Sequence, residues 1–187
     1  RRFTLRKLQI KGTDKLTIED IQTVLTSQEA NLLGIIPVLG YGRGYTSAAI
    51  LEEDTATIRS LMAELGYRDA VVNVNQGISL NGDDFIITFV VDEGLPTVVS
   101  DVSITGNGAV KTDELLAQLP LIVGKNYSRA RERNAVRKLR EYYSDLGYYD
   151  ARVTSKMIET STAADRKNAT IEFTVENERK KVVINRI

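Results

Sequence analysis

Four short motifs occur twice in this chain, in the same order, and this repetition constrains the fold more than any other feature. In the first half they are Leu8-x-Ile10-x-Gly12, Gly42-x-x-Tyr45-Thr46, Leu65-Gly66-Tyr67 and Phe89-x-Val91. In the second half they are Val102-x-Ile104-x-Gly106, Gly124-x-x-Tyr127-Ser128, Leu146-Gly147-Tyr148 and Phe173-x-Val175. The order is kept while the spacing varies, so the sequence predicts two copies of one small module. We expect module one over residues 1–95, module two over 96–180, and the start of a truncated third module at 181–187.

The composition removes several classes of function. The 187 residues include 25 Lys and Arg and 25 Asp and Glu, so no net charge attracts the chain to nucleic acid. Histidine and cysteine are both absent, which excludes disulfides, thiolate zinc sites and nucleophile–histidine pairs. We therefore expect no catalytic residue, no cofactor, no metal ion and no nucleic-acid partner. The chain opens at Arg1 without an initiator methionine, as is expected of a piece of a longer protein.

Hydrophobic periodicity predicts the same element order, β-α-α-β-β, in both modules. In module one, strands are expected at 3–11, 70–75 and 85–91, and helices after Thr17 and from about Thr46 to Leu65. In module two, strands are expected at 98–105, 151–158 and 169–176, helices after Thr112 and at 128–146, and a polar loop at 159–167. The apolar positions of the second helices are expected to face the core: Ile58, Leu61, Met62, Leu65, Leu139, Tyr142, Tyr143 and Leu146.

Taken together, these motifs resemble the polypeptide-transport-associated (POTRA) domain, whose tandem copies form the periplasmic arm of BamA-like outer-membrane protein assembly factors. The resemblance covers nearly the whole chain. It implies an α+β fold in which each module has a three-stranded mixed sheet, ordered strand one, strand three, strand two, and covered by two helices. It also implies a periplasmic location, with the arm tethered to the bacterial outer membrane through the rest of the protein.

The resemblance implies a non-enzymatic receptor and scaffold in outer-membrane protein insertion. The implied partners are unfolded outer-membrane proteins, accessory assembly lipoproteins, neighbouring modules and a C-terminal membrane β-barrel. A second interpretation stays open. In it, the chain is a docking arm of a TamA-like, two-partner secretion or cell-division protein, and it binds folded partners.

In the sheet order that the resemblance implies, the second strand of each module lies at an edge. The candidate peptide-binding residues there are Ala70, Val71, Val72, Asn73, Val74 and Asn75 in module one, and Ala151, Arg152, Val153 and Thr154 in module two. An open edge can pair with an extended peptide of any sequence. Four or five hydrogen bonds, at about 0.5–1.5 kcal/mol each, nearly balance an ordering cost of about 1–2 kcal/mol per residue, so binding is expected to be transient. The alternative is that both edges only face water.

A proline at Asn73 is expected to remove one edge donor while leaving the fold largely intact.

Module one carries an insert between its helices, residues 28–44, that module two lacks. Its apolar residues are Leu32, Leu33, Ile35, Ile36, Val38 and Leu39, which are too many for a plain solvated loop. Two interpretations stay open: the insert covers the core of its own module, or it docks a partner, a neighbouring module or lipid.

Three other patterns are set aside. The turn Gly106–Thr112 superficially suggests a phosphate loop but lacks the glycine spacing. The basic stretch at 129–140 is interleaved with glutamates and is typical of a solvated helix face. Adjacent carboxylates, Glu52-Glu53 and Asp83-Asp84, fall in helix-start and turn contexts, where acid–base pairs are not expected.

Overall fold

The computed structural model of the chain describes residues 4–25, 48–78 and 84–179. The insert at 28–44, with its six apolar candidate residues, and the expected third module at 181–187 lie outside these ranges. The chain separates into two compact units, Arg1–Gly94 and Leu95–Ile187. These units are module one and module two.

Over the described residues of module one, the chain forms a three-stranded mixed sheet and two helices. Its elements are β1 (Thr4–Lys11), α1 (Ile18–Ile21), α2 (Ala48–Glu64), β2 (Val71–Ile78) and β3 (Asp84–Asp92). The sheet order is β1-β3-β2, with β1 parallel and β2 antiparallel to the central β3. The predicted start of α1 is confirmed, because Thr17 and Asp20 form a reciprocal capping box.

Module two repeats this architecture. Its elements are β4 (Thr97–Thr105), α3 (Thr112–Leu116), α4 (Arg129–Asp145), β5 (Arg152–Thr162) and β6 (Lys167–Glu176). The sheet order is β4-β6-β5, again with one parallel and one antiparallel pair. The predicted fold class, two α+β modules with a 1-3-2 sheet, is thus confirmed.

Both antiparallel hairpins are longer than the sequence indicated. β2 continues through Gly77 to Ile78, three residues past the expected end. In module two the expected polar loop at 159–167 is mostly strand, and only residues 163–166 form the turn. Side chains stabilise this extension, since Asn168 donates to Ser161 and Thr160 donates to the Asn168 carbonyl. Polarity alone therefore misplaced the loop, because serine and threonine also suit an edge strand.

Each module has its own core between the helices and one face of the sheet. Ile58 and Met62 of α2, and Leu139 and Tyr143 of α4, are fully buried, as predicted. The last turn differs from the prediction: Leu65 is 40% exposed and Leu146 is 38% exposed. Both follow the end of the regular helix, where the chain turns towards the next strand and carries the side chain away from the core.

The glycine that closes the first strand is required by the sheet itself. Gly12 has φ 87°, and an added Cβ would lie 2.1 Å from the carbonyl oxygen of Val91. Gly106 in module two has φ 78° and meets the Val175 carbonyl oxygen at the same 2.1 Å. No other residue fits this approach, so the repeated glycine has a steric cause.

Candidate functional site

The outer edge of β2 presents a row of backbone groups in module one. The Val91 carbonyl points towards Gly12, the residue directly after β1, so it does not bond to β2. Because Val91 is paired with Val72, this pair is a non-hydrogen-bonded one, and the N–H and C=O of Val72 point away from the sheet. Hydrogen-bonded and non-hydrogen-bonded pairs alternate along an antiparallel ladder. The backbone groups of Val74, Gln76 and Ile78 therefore also point outward.

The intervening residues of β2 face the sheet instead. Asn73 is paired with Val90 and Asn75 with Thr88, so their backbone groups bond to β3. The prediction that proline at Asn73 removes an edge donor and leaves the fold largely intact is therefore wrong, because the donor it removes bonds to β3. A proline that removes only an outward donor belongs at Gln76.

A groove lies beside this edge, between β2 and α2. It has a volume of about 380 Å³ and is lined by Leu51, Glu52, Thr55, Ala56, Arg59, Val74 and Gln76. Leu51 is buried and Val74 is half-buried, so the floor is apolar, while Glu52 and Arg59 are exposed. An added strand would place alternate side chains in this groove.

The equivalent edge of module two is partly capped by its own helix. Arg140 of α4 donates from Nε (3.2 Å) and Nη2 (2.7 Å) to the carbonyl oxygen of Val153 on β5. Val153 is equivalent to Val72 in the repeat, so a side chain here occupies a backbone group that module one leaves open. β5 also carries Arg152 and Lys156, whereas the β2 sequence, VVNVNQGI, has no charged residue. Charged side chains are the usual protection of an edge strand.

The opposite edge of the module-two sheet is also covered along its first half. The chain before α4 runs beside β4: Gly124 donates to the Val99 carbonyl at 2.8 Å and Tyr127 to the Thr97 carbonyl at 2.7 Å. In module one a groove of about 450 Å³ adjoins the corresponding strand, β1, and is lined by residues of β1, Thr13 and residues 16–19. Both edges of the module-one sheet thus adjoin a groove, and the module-one residues equivalent to Gly124–Tyr127 lie outside the described ranges.

A family model places this chain among known proteins. The model, POTRA, described as the surface antigen variable number repeat, matches residues 3–94 and 97–178. The chain belongs to the POTRA family. A relative in Treponema pallidum (strain Nichols), described as a candidate outer membrane protein assembly factor, is 28% identical over 184 residues, which cover 94% of this chain and 20% of that protein. The chain thus spans only a small part of that relative.

Two solved structures illustrate the likeness of the POTRA tandem to other members. BamA from Haemophilus ducreyi lacking POTRA domains 1–3 has 18% identity and a TM-score of 0.53, covering 94% of this chain and 29% of that one. A Haemophilus influenzae BamA fragment holding POTRA domains 3–5 has 17% identity and a TM-score of 0.48, covering 92% of this chain and 61% of that one. At 18% identity, the likeness to the Haemophilus ducreyi structure shows the fold alone.

The structure changes the predicted edge residues of both POTRA modules. Ala70 and Ala151 precede their strands, and their N–H groups donate to the carbonyls of Tyr67 and Tyr148 within the helix-to-strand turns. Their N–H groups are therefore already bonded within those turns. Gln76, Ile78 and the α2 side chains of the groove were not among the residues predicted from the sequence. The uncharged residues that follow Asn75, from Gln76 to Ile78, were the sequence signal for a longer strand.

The other polar clusters of the POTRA modules hold structure together. Tyr127 donates to Glu132 at 2.6 Å inside the module-two core. Tyr143 donates to Glu178, whose other oxygen accepts from the Ala109 N–H at 2.7 Å. Burial, and then the bond to Glu178, raises the pKa of the Tyr143 phenol. The turn Gly106–Thr112 is closed by its own contacts, with Asn107 donating to the Val110 carbonyl and to Thr112.

Most side chains of the basic stretch on α4 are exposed, as expected of a solvated face. Across the described ranges, no group of three acidic side chains is arranged to hold a metal ion. Among the same residues, no helix has the length and apolar character needed to cross a bilayer.

Proposed function

We propose that this POTRA tandem is the periplasmic receptor and scaffold region of an outer-membrane β-barrel assembly protein. The family membership and the Treponema pallidum relative support this assignment. In this role the chain binds and positions other proteins and catalyses no reaction. It works beside neighbouring POTRA modules, accessory lipoproteins and a membrane barrel in the full-length protein.

The observation that carries the proposal is the open edge of β2. Its outward backbone groups at Val72, Val74, Gln76 and Ile78 can pair with an extended segment of an unfolded outer-membrane protein, whatever its sequence. Each of these four residues offers one donor and one acceptor, so up to eight hydrogen bonds at about 0.5–1.5 kcal/mol each oppose a cost of about 1–2 kcal/mol for every residue ordered, and the two totals are of similar size. The complex is then short-lived, which suits a receptor that passes barrel strands onward.

Module two favours a different use. Arg140 holds the Val153 carbonyl and charged residues line β5, so this edge suits docking of a folded partner better than strand addition. If both modules acted in this way, the chain would be the docking arm of a TamA-like, two-partner secretion or cell-division protein.

Site-specific photo-cross-linking tests the assignment. A photoreactive residue at Gln76 should capture an unfolded outer-membrane barrel protein and should lose it once that barrel has folded. The same residue at Met157, the β5 position equivalent to Gln76 in the repeat, is the matched control and should capture much less. Equal capture at both positions, or capture of only folded proteins at Gln76, would reject strand addition at β2.

A further inference from the structure

The groove beside β2 carries two opposite charges on one stripe of α2. Glu52 and Arg59 both line it, and they are separated by seven residues, which is two helical turns or about 10.5 Å. Both side chains are exposed, and within the described part of the chain neither forms an ion pair. Ala56 lies between them and leaves the middle of the groove uncharged.

The repeat shows which charge lies near which end of β2. Arg140, at the position equivalent to Arg59, reaches Val153, which is equivalent to Val72. Arg59 therefore lies near the start of β2, and Glu52, two turns earlier on α2, lies nearer Gln76. The helix thus presents a positive group at the beginning of the edge and a negative group towards its end.

This arrangement has a direct consequence for a strand added antiparallel to β2, the slightly more stable pairing. Its chain runs from the Ile78 end to the Val72 end, so it passes Glu52 first and Arg59 last. Side chains that face the groove recur at every second position, about 6.8 Å apart. A residue at i and one at i+4 lie about 13 Å apart and can reach the two charges with flexible side chains.

We propose that Glu52 and Arg59 select the charge order of the segment that binds at β2. The favoured segment has a basic residue at groove-facing position i, an apolar residue at i+2 and an acidic residue at i+4. The inference rests on strand addition at β2, as proposed above, and adds the sequence preference and direction of the bound strand.

Module two provides an internal contrast. The positions equivalent to Glu52, Ala56 and Arg59 are Arg133, Arg137 and Arg140, so its helix has no acidic end and no uncharged middle. The α4 face therefore cannot select this charge order. Any preference shown by the whole chain should come from module one.

Three synthetic peptides test the proposal on the full chain. They share one alternating apolar pattern and carry Lys at i and Glu at i+4 (forward), the reverse order, or Gln at both positions (neutral). In NMR titrations that follow the backbone amide signals, we expect the forward peptide to bind about fivefold more tightly than the neutral one. The advantage should fade in high salt, because exposed ion pairs are screened. A spin label on the forward peptide's N-terminus should broaden Ile78 more than Val71.

Matched variants assign the effect to the groove. Glu52→Lys should abolish the forward preference, and the double variant E52K/R59E should invert it. Glu53→Lys makes the same charge change one residue along, outside the groove, and should keep it.

The outcomes separate this inference from the proposed function. If all three peptides bind equally well, or if E52K/R59E keeps the forward preference, charge selection is wrong while strand addition stands. If none of the three peptides shifts the amides of Val72, Val74 and Gln76, strand addition at β2 fails as well.

Discussion

Proline at Gln76 is the sharpest test of the edge geometry. The Gln76 N–H points out of the sheet and its side chain is exposed, so the substitution removes no bond between β2 and β3. We expect the free energy of unfolding of module one to change by less than about 1 kcal/mol. Proline at the adjacent Asn75 removes the hydrogen bond to Thr88 and leaves the Thr88 carbonyl unsatisfied. This should lower the free energy of unfolding by about 1–3 kcal/mol more than proline at Gln76 does.

Gln76→Pro should weaken peptide binding although it leaves the stability of module one nearly unchanged. One missing bond to an added strand, at about 0.5–1.5 kcal/mol, weakens capture by up to about tenfold, and the proline ring adds a steric clash. Urea unfolding gives the stability, and peptide titration into the folded variant gives the affinity. If Asn75→Pro is as stable as Gln76→Pro, or more stable, the assigned alternation of backbone groups along β2 is wrong.

Three further predictions concern module two. Arg140→Ala frees the Val153 carbonyl and should raise peptide capture at β5. Arg137→Ala should not, because the Arg137 side chain bonds to Asn134 and Glu141 of its own helix. Leu139→Ala should cost about 2–5 kcal/mol because the side chain is fully buried, and Leu146→Ala, 38% exposed, should cost clearly less in the same urea melts. The raised pKa of Tyr143 means that the folded state keeps its proton where the unfolded state, with a pKa near 10.0, releases it. The free energy of unfolding should therefore fall above pH 10 by up to about 1.4 kcal/mol per pH unit, a contribution that Tyr143→Phe should remove.

Much of the fold could be predicted because the repeat and the hydrophobic periods show which side chains share a buried face. Ile58 and Met62 are buried because the helical period puts them on one stripe, and Ile87 and Phe89 are buried because the strand period puts them on one face. Element ends were less predictable. The hairpin at 159–167 extends through cross-strand contacts of Ser161 and Asn168, which no local pattern encodes.

The sequence by itself determined the two modules, their α+β element order and the absence of charge on β2, because each of these is a property of residue types in order along the chain. Only the tertiary structure decided which backbone groups of β2 face outward, because that depends on the register of Val72 against Val91 and not on side-chain alternation. It also decided that Arg140 caps the edge in module two while the equivalent Arg59 borders an open groove. Two residues of the same type in equivalent positions differ here because their surroundings differ, and a contact between a helix and a strand edge exists only once both are folded together.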